Sequence, residues 1–370
     1  MKKVDWNGEF TGVDGVTRSG ATIIDNYVAK AFPIIERNLT TQLNKLTGVR
    51  RKSAEQKEYI KILNDVRNRL KDLLRLDTQQ IENERATWET QKKPTGALYS
   101  KKFRLTATGK KKGGKKESNP KKNINEHLLA AFAYDRLRNE VLPEISAQMN
   151  IKTCLYCNQQ FTLYLNYVDP KSHTLLHFSA FQFDHFFPKK DYPTLSATLC
   201  NLVPSCPVCN NIKRDNDFAA ELHPYSTDLD GEFRLRVKDP TGLIAGIKLR
   251  HTSALTATAD EIDIELSRDG ITPGTMKVSD NNLYNYSTTL HIAERYRRHR
   301  DIALEVAARS YVKKYYAEAE NFGFIKDLDA DLLRRIANGN YCDRADINRR
   351  PLAKLYLDLQ EQFDEFLSPK

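Results

Sequence analysis

The residues best suited to chemistry lie between Cys154 and Lys213. Cys154-Leu155-Tyr156-Cys157 and Cys206-Pro207-Val208-Cys209 are two CxxC pairs, and each can set two sulfurs on one tight turn. Four thiolates at about 2.3 Å suit a tetrahedral zinc with no open position for water. Such an ion would be structural, clamping the segment at Cys154 to a helix that starts near Pro207, a residue type favoured in a first helical turn. Beside the cysteines stand Asp184-His185, Asn201 and Asn210. Oxygen donors with an imidazole suit a hard divalent cation and a general base. Two cysteines, Cys200 and Cys342, fall outside the pairs. This usage fits zinc in a reducing compartment better than disulfides, so the chain is expected to be cytoplasmic.

The order Asp-His, Asn, CxxC-Asn-x-x-Lys resembles the HNH (ββα-metal) nucleases, and more narrowly their branch stapled by four cysteines, with Asn rather than His as the last motif residue. The likeness covers Cys154 to Lys213 and implies an α+β chain with a central ββα core. It also implies that His185 is the general base and that Asp184 and Asn210 hold a catalytic Mg²⁺ (or Mn²⁺). Asn201, grouped with His185 as catalytic, would orient the histidine or brace its loop. Zn²⁺ on Cys154, Cys157, Cys206 and Cys209 would be the structural ion. Lys213 is placed to face a phosphate or solvent. His173 and His177, inside the 48-residue insert between the cysteine pairs, are expected at packing or surface positions. His223-Pro224-Tyr225 resembles an element trailing the core in nucleases encoded beside ATPases in anti-phage systems; the alternative is a turn with a satisfied histidine.

The elements that must position these residues are mostly helical. Apolar spacing predicts a helix over 21–46 that Pro33 should kink or interrupt, a second over 54–89, and a third over 125–148. Aromatic and β-branched residues between the cysteine pairs predict strands, the last ending at Asp184-His185. Alternation at Phe233, Leu235 and Val237 and at Ile262, Ile264 and Leu266 predicts a small antiparallel sheet, and helices return from about 282, including 332–336 and 352–366. The organisation expected is a helical region 1–100, a Lys-rich linker 101–124, a zinc-stapled nuclease domain 125–225, a small β region 226–280 and a helical region 281–370.

Charge narrows the partners. The net charge is +10, and residues 101–122 carry ten Lys or Arg against one Glu, so the rest of the chain is close to neutral. Glycines and Pro120 break any helix there. Lys110, Lys111, Lys112, Lys115 and Lys116 are candidate contacts to a nucleic-acid backbone, with DNA the expected substrate and RNA left open. No apolar run approaches the roughly twenty residues of a membrane span, so no membrane partner is expected. The sequence has no GxxxxGK[ST] run, so an ATPase or other defence-system subunit would be a separate protein.

Overall fold

The computed structural model describes residues 1–92, 96–106, 120–250, 262–272, 274–318 and 343–368. Lys110, Lys111, Lys112, Lys115, Lys116, Cys342 and the helix expected over 332–336 lie outside the described residues, as does the side chain of His177. The architecture is α+β: helices frame four two-stranded antiparallel sheets among the described residues. None of the described helices is long and apolar enough to cross a membrane.

A short hairpin, β1 (Glu9–Thr11) and β2 (Thr17–Ser19), leads into α1 (Gly20–Thr47). Ser19 caps α1 by accepting a hydrogen bond from the Thr22 amide. The helix runs through Pro33 without interruption. Its buried face (Ile23, Tyr27, Ala31, Ile35, Leu39) outweighs the one backbone bond a proline removes. The long helix expected over 54–89 is three: α2 (Ala54–Asn68), α3 (Leu70–Arg75) and α4 (Thr78–Lys92). Asp77 sets the last break, because its carboxylate accepts from the Gln80 amide while the Gln80 side chain accepts from the Asp77 amide. After α5 (Gly96–Ser100), Phe103 and Lys122 exchange backbone hydrogen bonds across the Lys-rich stretch.

The expected helix over 125–148 is likewise divided into α6 (Ile124–Phe132), α7 (Tyr134–Glu140) and α8 (Leu142–Met149). The first break falls on Ala133, at φ 48° and ψ 44°, a left-handed conformation that alanine adopts at a cost, and the second on Val141. Next come the hairpin β3 (Tyr164–Val168) and β4 (Leu175–Ser179), then β5 (Gln182–His185), β6 (Leu202–Ser205) and α9 (Pro207–Lys213). β5 and β6 pair antiparallel with Asp184 opposite Val203 and His185 opposite Leu202.

The expected small sheet is β7 (Arg234–Val237) with β8 (Ile264–Ser267), and α10 (Pro240–Arg250) forms between them where alternation suggested only strand. α11 (Asp280–Leu290), α12 (Ile292–Tyr296), α13 (Arg300–Glu318) and α14 (Ala353–Leu367) complete the chain. α14 packs on α13 and extends the edge of β7: Gln362 accepts from the Val237 amide and donates to its carbonyl. One core of buried apolar side chains reaches from α1 to α14 and includes all four motif cysteines.

Candidate active site and zinc centre

The four motif sulfurs, all buried, lie within 4.8 Å of one another. Cys157 Sγ and Cys206 Sγ are 3.9 Å apart, close to the roughly 3.8 Å edge of a tetrahedron with 2.3 Å zinc–sulfur bonds. Backbone amides already point at the sulfurs: Gln159 N donates to Cys157 Sγ, and Cys209 N donates to Cys206 Sγ, both at 3.4 Å. Cys206 is also the N-cap of α9, so the metal knuckle and the helix start are one turn. The residues present fit a structural zinc.

Arg295 completes this centre, and no local sequence signal marked it. Its guanidinium donates to Cys209 Sγ at 3.1 Å and to Cys157 Sγ at 3.3 Å. Four thiolates around one Zn²⁺ leave a net charge of −2, and a buried site with that charge needs a cation beside it. α11 and α12 seal the same turn, since the Tyr286 hydroxyl donates to the Tyr156 carbonyl and the Tyr296 hydroxyl to the Cys157 carbonyl.

His185 ends β5 and is 8% exposed. Its Nε2 lies 2.9 Å from the Ser196 carbonyl. A carbonyl can only accept, so Nε2 carries the proton and Nδ1 is the ring's acceptor in the neutral form. Burial, with Lys189 and Lys213 adding to it, lowers the His185 pKa to about 3, which keeps the ring neutral. The Tyr134 ring packs edge-on to the imidazole at 4.5 Å, and its hydroxyl donates to the Phe183 carbonyl.

The loop that supplies the Ser196 carbonyl is tied on every side. Asn201, fully buried, accepts from the Phe187 amide at 2.8 Å and donates to the carbonyls of Phe187 and Leu195 at 3.1 Å. These bonds occupy its amide, so Asn201 braces the loop that holds the histidine. Tyr27 of α1 donates to the Ala197 carbonyl, and Thr198 donates to the Leu73 carbonyl of α3 at 2.7 Å. Arg85 of α4 lies over the rings of Phe187 and Tyr192. The N-terminal helices thus hold the frame of the imidazole.

Asp184 and His185 are neighbours on a strand, so their side chains leave opposite faces. Asp184, 3% exposed, faces α9. Its Oδ2 accepts from the Tyr156 hydroxyl at 2.7 Å and pairs with Lys213 Nζ at 3.1 Å. Burial raises the Asp184 pKa above the ordinary carboxylate value, while Lys213 and Tyr156 pull the other way. Lys213 corrects the expectation of a phosphate-facing residue. It is 0% exposed, and its ammonium also donates to the His185 carbonyl at 2.9 Å. The cause is helical rotation: Cys209 and Lys213, four apart, share the inward face of α9.

Asn210, half-buried, donates its amide to the Gln182 side chain. Asp184 is thus engaged by Lys213 and Tyr156, and Asn210 by Gln182. A hydrated divalent ion, which keeps several waters, does not fit at an enclosed carboxylate that already carries an ammonium. Among the described residues the cysteine quartet is the one cluster of three or more His, Cys, Asp or Glu residues placed to hold a metal. His173 sits in an exposed turn at φ 52°. His223 is buried against Phe186 with ring centroids 4.2 Å apart, and its Nδ1 accepts from the Tyr225 amide at 3.2 Å. The Tyr225 hydroxyl reaches the Leu202 carbonyl at 2.8 Å, so the His-Pro-Tyr turn braces β6.

A strand pair and a helix, stapled by four thiolates and carrying a tautomer-fixed histidine at a strand end, define the ββα-metal class. Residues 154–216 match the HNH endonuclease family, and the chain carries an HNH endonuclease domain over that span. No curated protein and no solved structure matches the chain.

Proposed function

We propose that this chain is a phosphodiester hydrolase that cuts DNA, with His185 as general base. The observation that carries the reading is the Nε2–Ser196 bond, which leaves Nδ1 as the acceptor on a neutral ring within the HNH domain. In this reading Nδ1 takes a proton from water, and the hydroxide formed attacks phosphorus. The bond from phosphorus to the 3′ oxygen breaks, and that oxygen leaves as a 3′-hydroxyl once protonated, with the phosphate kept on the 5′ end. A requirement for Mg²⁺ or Mn²⁺ is part of this reading and is supported by the HNH match over residues 154–216, although Asp184 as it stands is engaged by Lys213.

The same reading makes the chain a defence or restriction effector, and because unregulated cleavage would be toxic to a host cell, one held in check by a separate ATPase. Cytoplasmic residence belongs to the same reading. The test is cleavage of plasmid DNA, single-stranded DNA and RNA in Mg²⁺, in Mn²⁺ and with EDTA. Nicking of DNA that needs the divalent ion supports the reading. Cutting of RNA alone moves the substrate to RNA, and cutting of none of the three in any metal, repeated with the partner ATPase present, contradicts it. Full activity in the absence of any co-purifying ATPase contradicts the gating.

A further inference from the structure

Behind the Tyr134 ring lies a cleft of about 810 Å³ between α6, α7 and the two ends of the Lys-rich stretch. Lys102, Lys121, Lys122, Lys189 and Arg136 line it together with Glu126 and Asp135. Asp135 acts electrostatically on Lys189, and Arg136 and Glu126 have local partners. Arg136 pairs with Glu140 at 2.9 Å, and Glu126 accepts from the Asn123 amide in the cap of α6. The four lysines have no ion-pair partner among the described residues. Lys189 Nζ instead sits 4.6 Å from the centroid of the Tyr134 ring. Five cations against two carboxylates leave the cleft lining with a net charge of +3, which favours a polyanion.

Two further observations point the cleft at the reaction. Tyr134 is a wall of the cleft, and the same ring packs against His185 at 4.5 Å. Tyr134 takes that place because Ala133, also in the wall, adopts the left-handed conformation that ends α6 and redirects the chain, and backbone strain of this kind gathers at functional sites. The Phe103–Lys122 backbone pair brings the two ends of the Lys-rich stretch together at the cleft mouth, so Lys102 and Lys122 reach it on a defined scaffold.

We propose that this cleft holds the phosphates of the nucleic-acid strand flanking the bond that His185 hydrolyses, with Tyr134 as the wall shared by cleft and base and Lys189 as the cation nearest the reacting phosphate. The inference rests on the nuclease reading and deepens it by assigning the strand's path. Its test is binding without cleavage. Fluorescein-labelled DNA, as a single strand and as a duplex of the same sequence, is titrated in EDTA at several salt concentrations against the full chain. Lys121→Gln/Lys122→Gln and Lys189→Gln are compared with Lys238→Gln/Lys277→Gln, a pair of equal charge loss on the β7 and α11 side of the fold.

Each lysine that contacts a phosphate is worth about 0.7 in the slope of log affinity against log salt on a single strand and about 0.9 on a duplex. The double variant in the cleft is expected to flatten the slope by about 1.4 or more, and the control pair to leave it unchanged. Equal slopes for the cleft and control variants overturn the cleft while leaving His185-dependent cleavage intact. A wild-type chain that binds neither probe overturns both readings.

Discussion

Lys213 and His185 meet at one carbonyl. The ammonium that neutralises Asp184 also fixes the backbone of the residue whose side chain faces the opposite way. Removing one partner of a buried ion pair leaves a charge without solvent, at a cost of about 3–5 kcal/mol. Lys213→Met is expected to lose stability in that range by urea denaturation, and Lys213→Met/Asp184→Asn is expected to recover much of it. A loss below about 1 kcal/mol, the scale of a surface lysine, would contradict the buried assignment. His223 gives a pH signature. Burial lowers its pKa to about 3, against an unfolded value near 6.5. Below pH 6.5 the unfolded chain gains a proton that the native state refuses, so stability falls by about 1.4 kcal/mol per unit as pH drops toward 3. His223→Asn keeps an acceptor at the Nδ1 position for the Tyr225 amide and removes the titration. Its urea midpoint is expected to fall less steeply than that of the wild type between pH 6.5 and 4.5, and parallel curves would contradict the assignment.

At the scale of elements, the zinc knuckle depends on a residue 86 positions beyond its last cysteine. Arg295→Ala is expected to weaken zinc about 10–100-fold, measured by competition with a chromogenic chelator, because the thiolates lose the cation bonded to two of them. Unchanged affinity would make the arginine a packing residue. The cysteine cluster was legible in the sequence because CxxC spacing is local and its geometry follows from one turn. Arg295, Tyr134 and Ser196 were not, since each reaches the site through tertiary packing that leaves no periodic trace. Strand β5 and the start of α9 were read from composition and Pro207, whereas β6 was not, because the predicted strands stop at His185 and four residues with a proline among them leave little alternation to read. The helix breaks at Arg69, Asp77 and Ala133 were missed because apolar spacing runs on across them: Leu128, Phe132, Leu137 and Val141 keep a helical period through a left-handed residue. Lys213 was misread for a related reason. A lysine near a helix end suggests solvent until its neighbour Cys209 fixes which face points inward.

At the scale of the molecule, regions distant in sequence converge on the nuclease core. α1, α3 and α4 hold the loop that orients His185, and α11 and α12 close over the cysteines. The C-terminal helix is tied to the same knuckle. Asn158, one residue past Cys157, accepts from the Lys354 amide at 3.0 Å and donates to the Arg350 carbonyl at 3.1 Å. The Lys354 ammonium is then buried between Asp230 and Asp358, 3.0 Å from each. Such convergence places His185 on a rigid frame, as the proposed general-base role requires of a group that must meet water and phosphorus together. The central claim is that the His185 imidazole takes the proton from water. Wild type and His185→Ala are compared in a single-turnover cleavage assay on supercoiled plasmid in Mn²⁺, with zinc content and DNA affinity measured on the same preparations. The account predicts a rate loss of at least about 10²–10⁴-fold in the variant, with one zinc and wild-type affinity retained. A variant that cuts at the wild-type rate would contradict it.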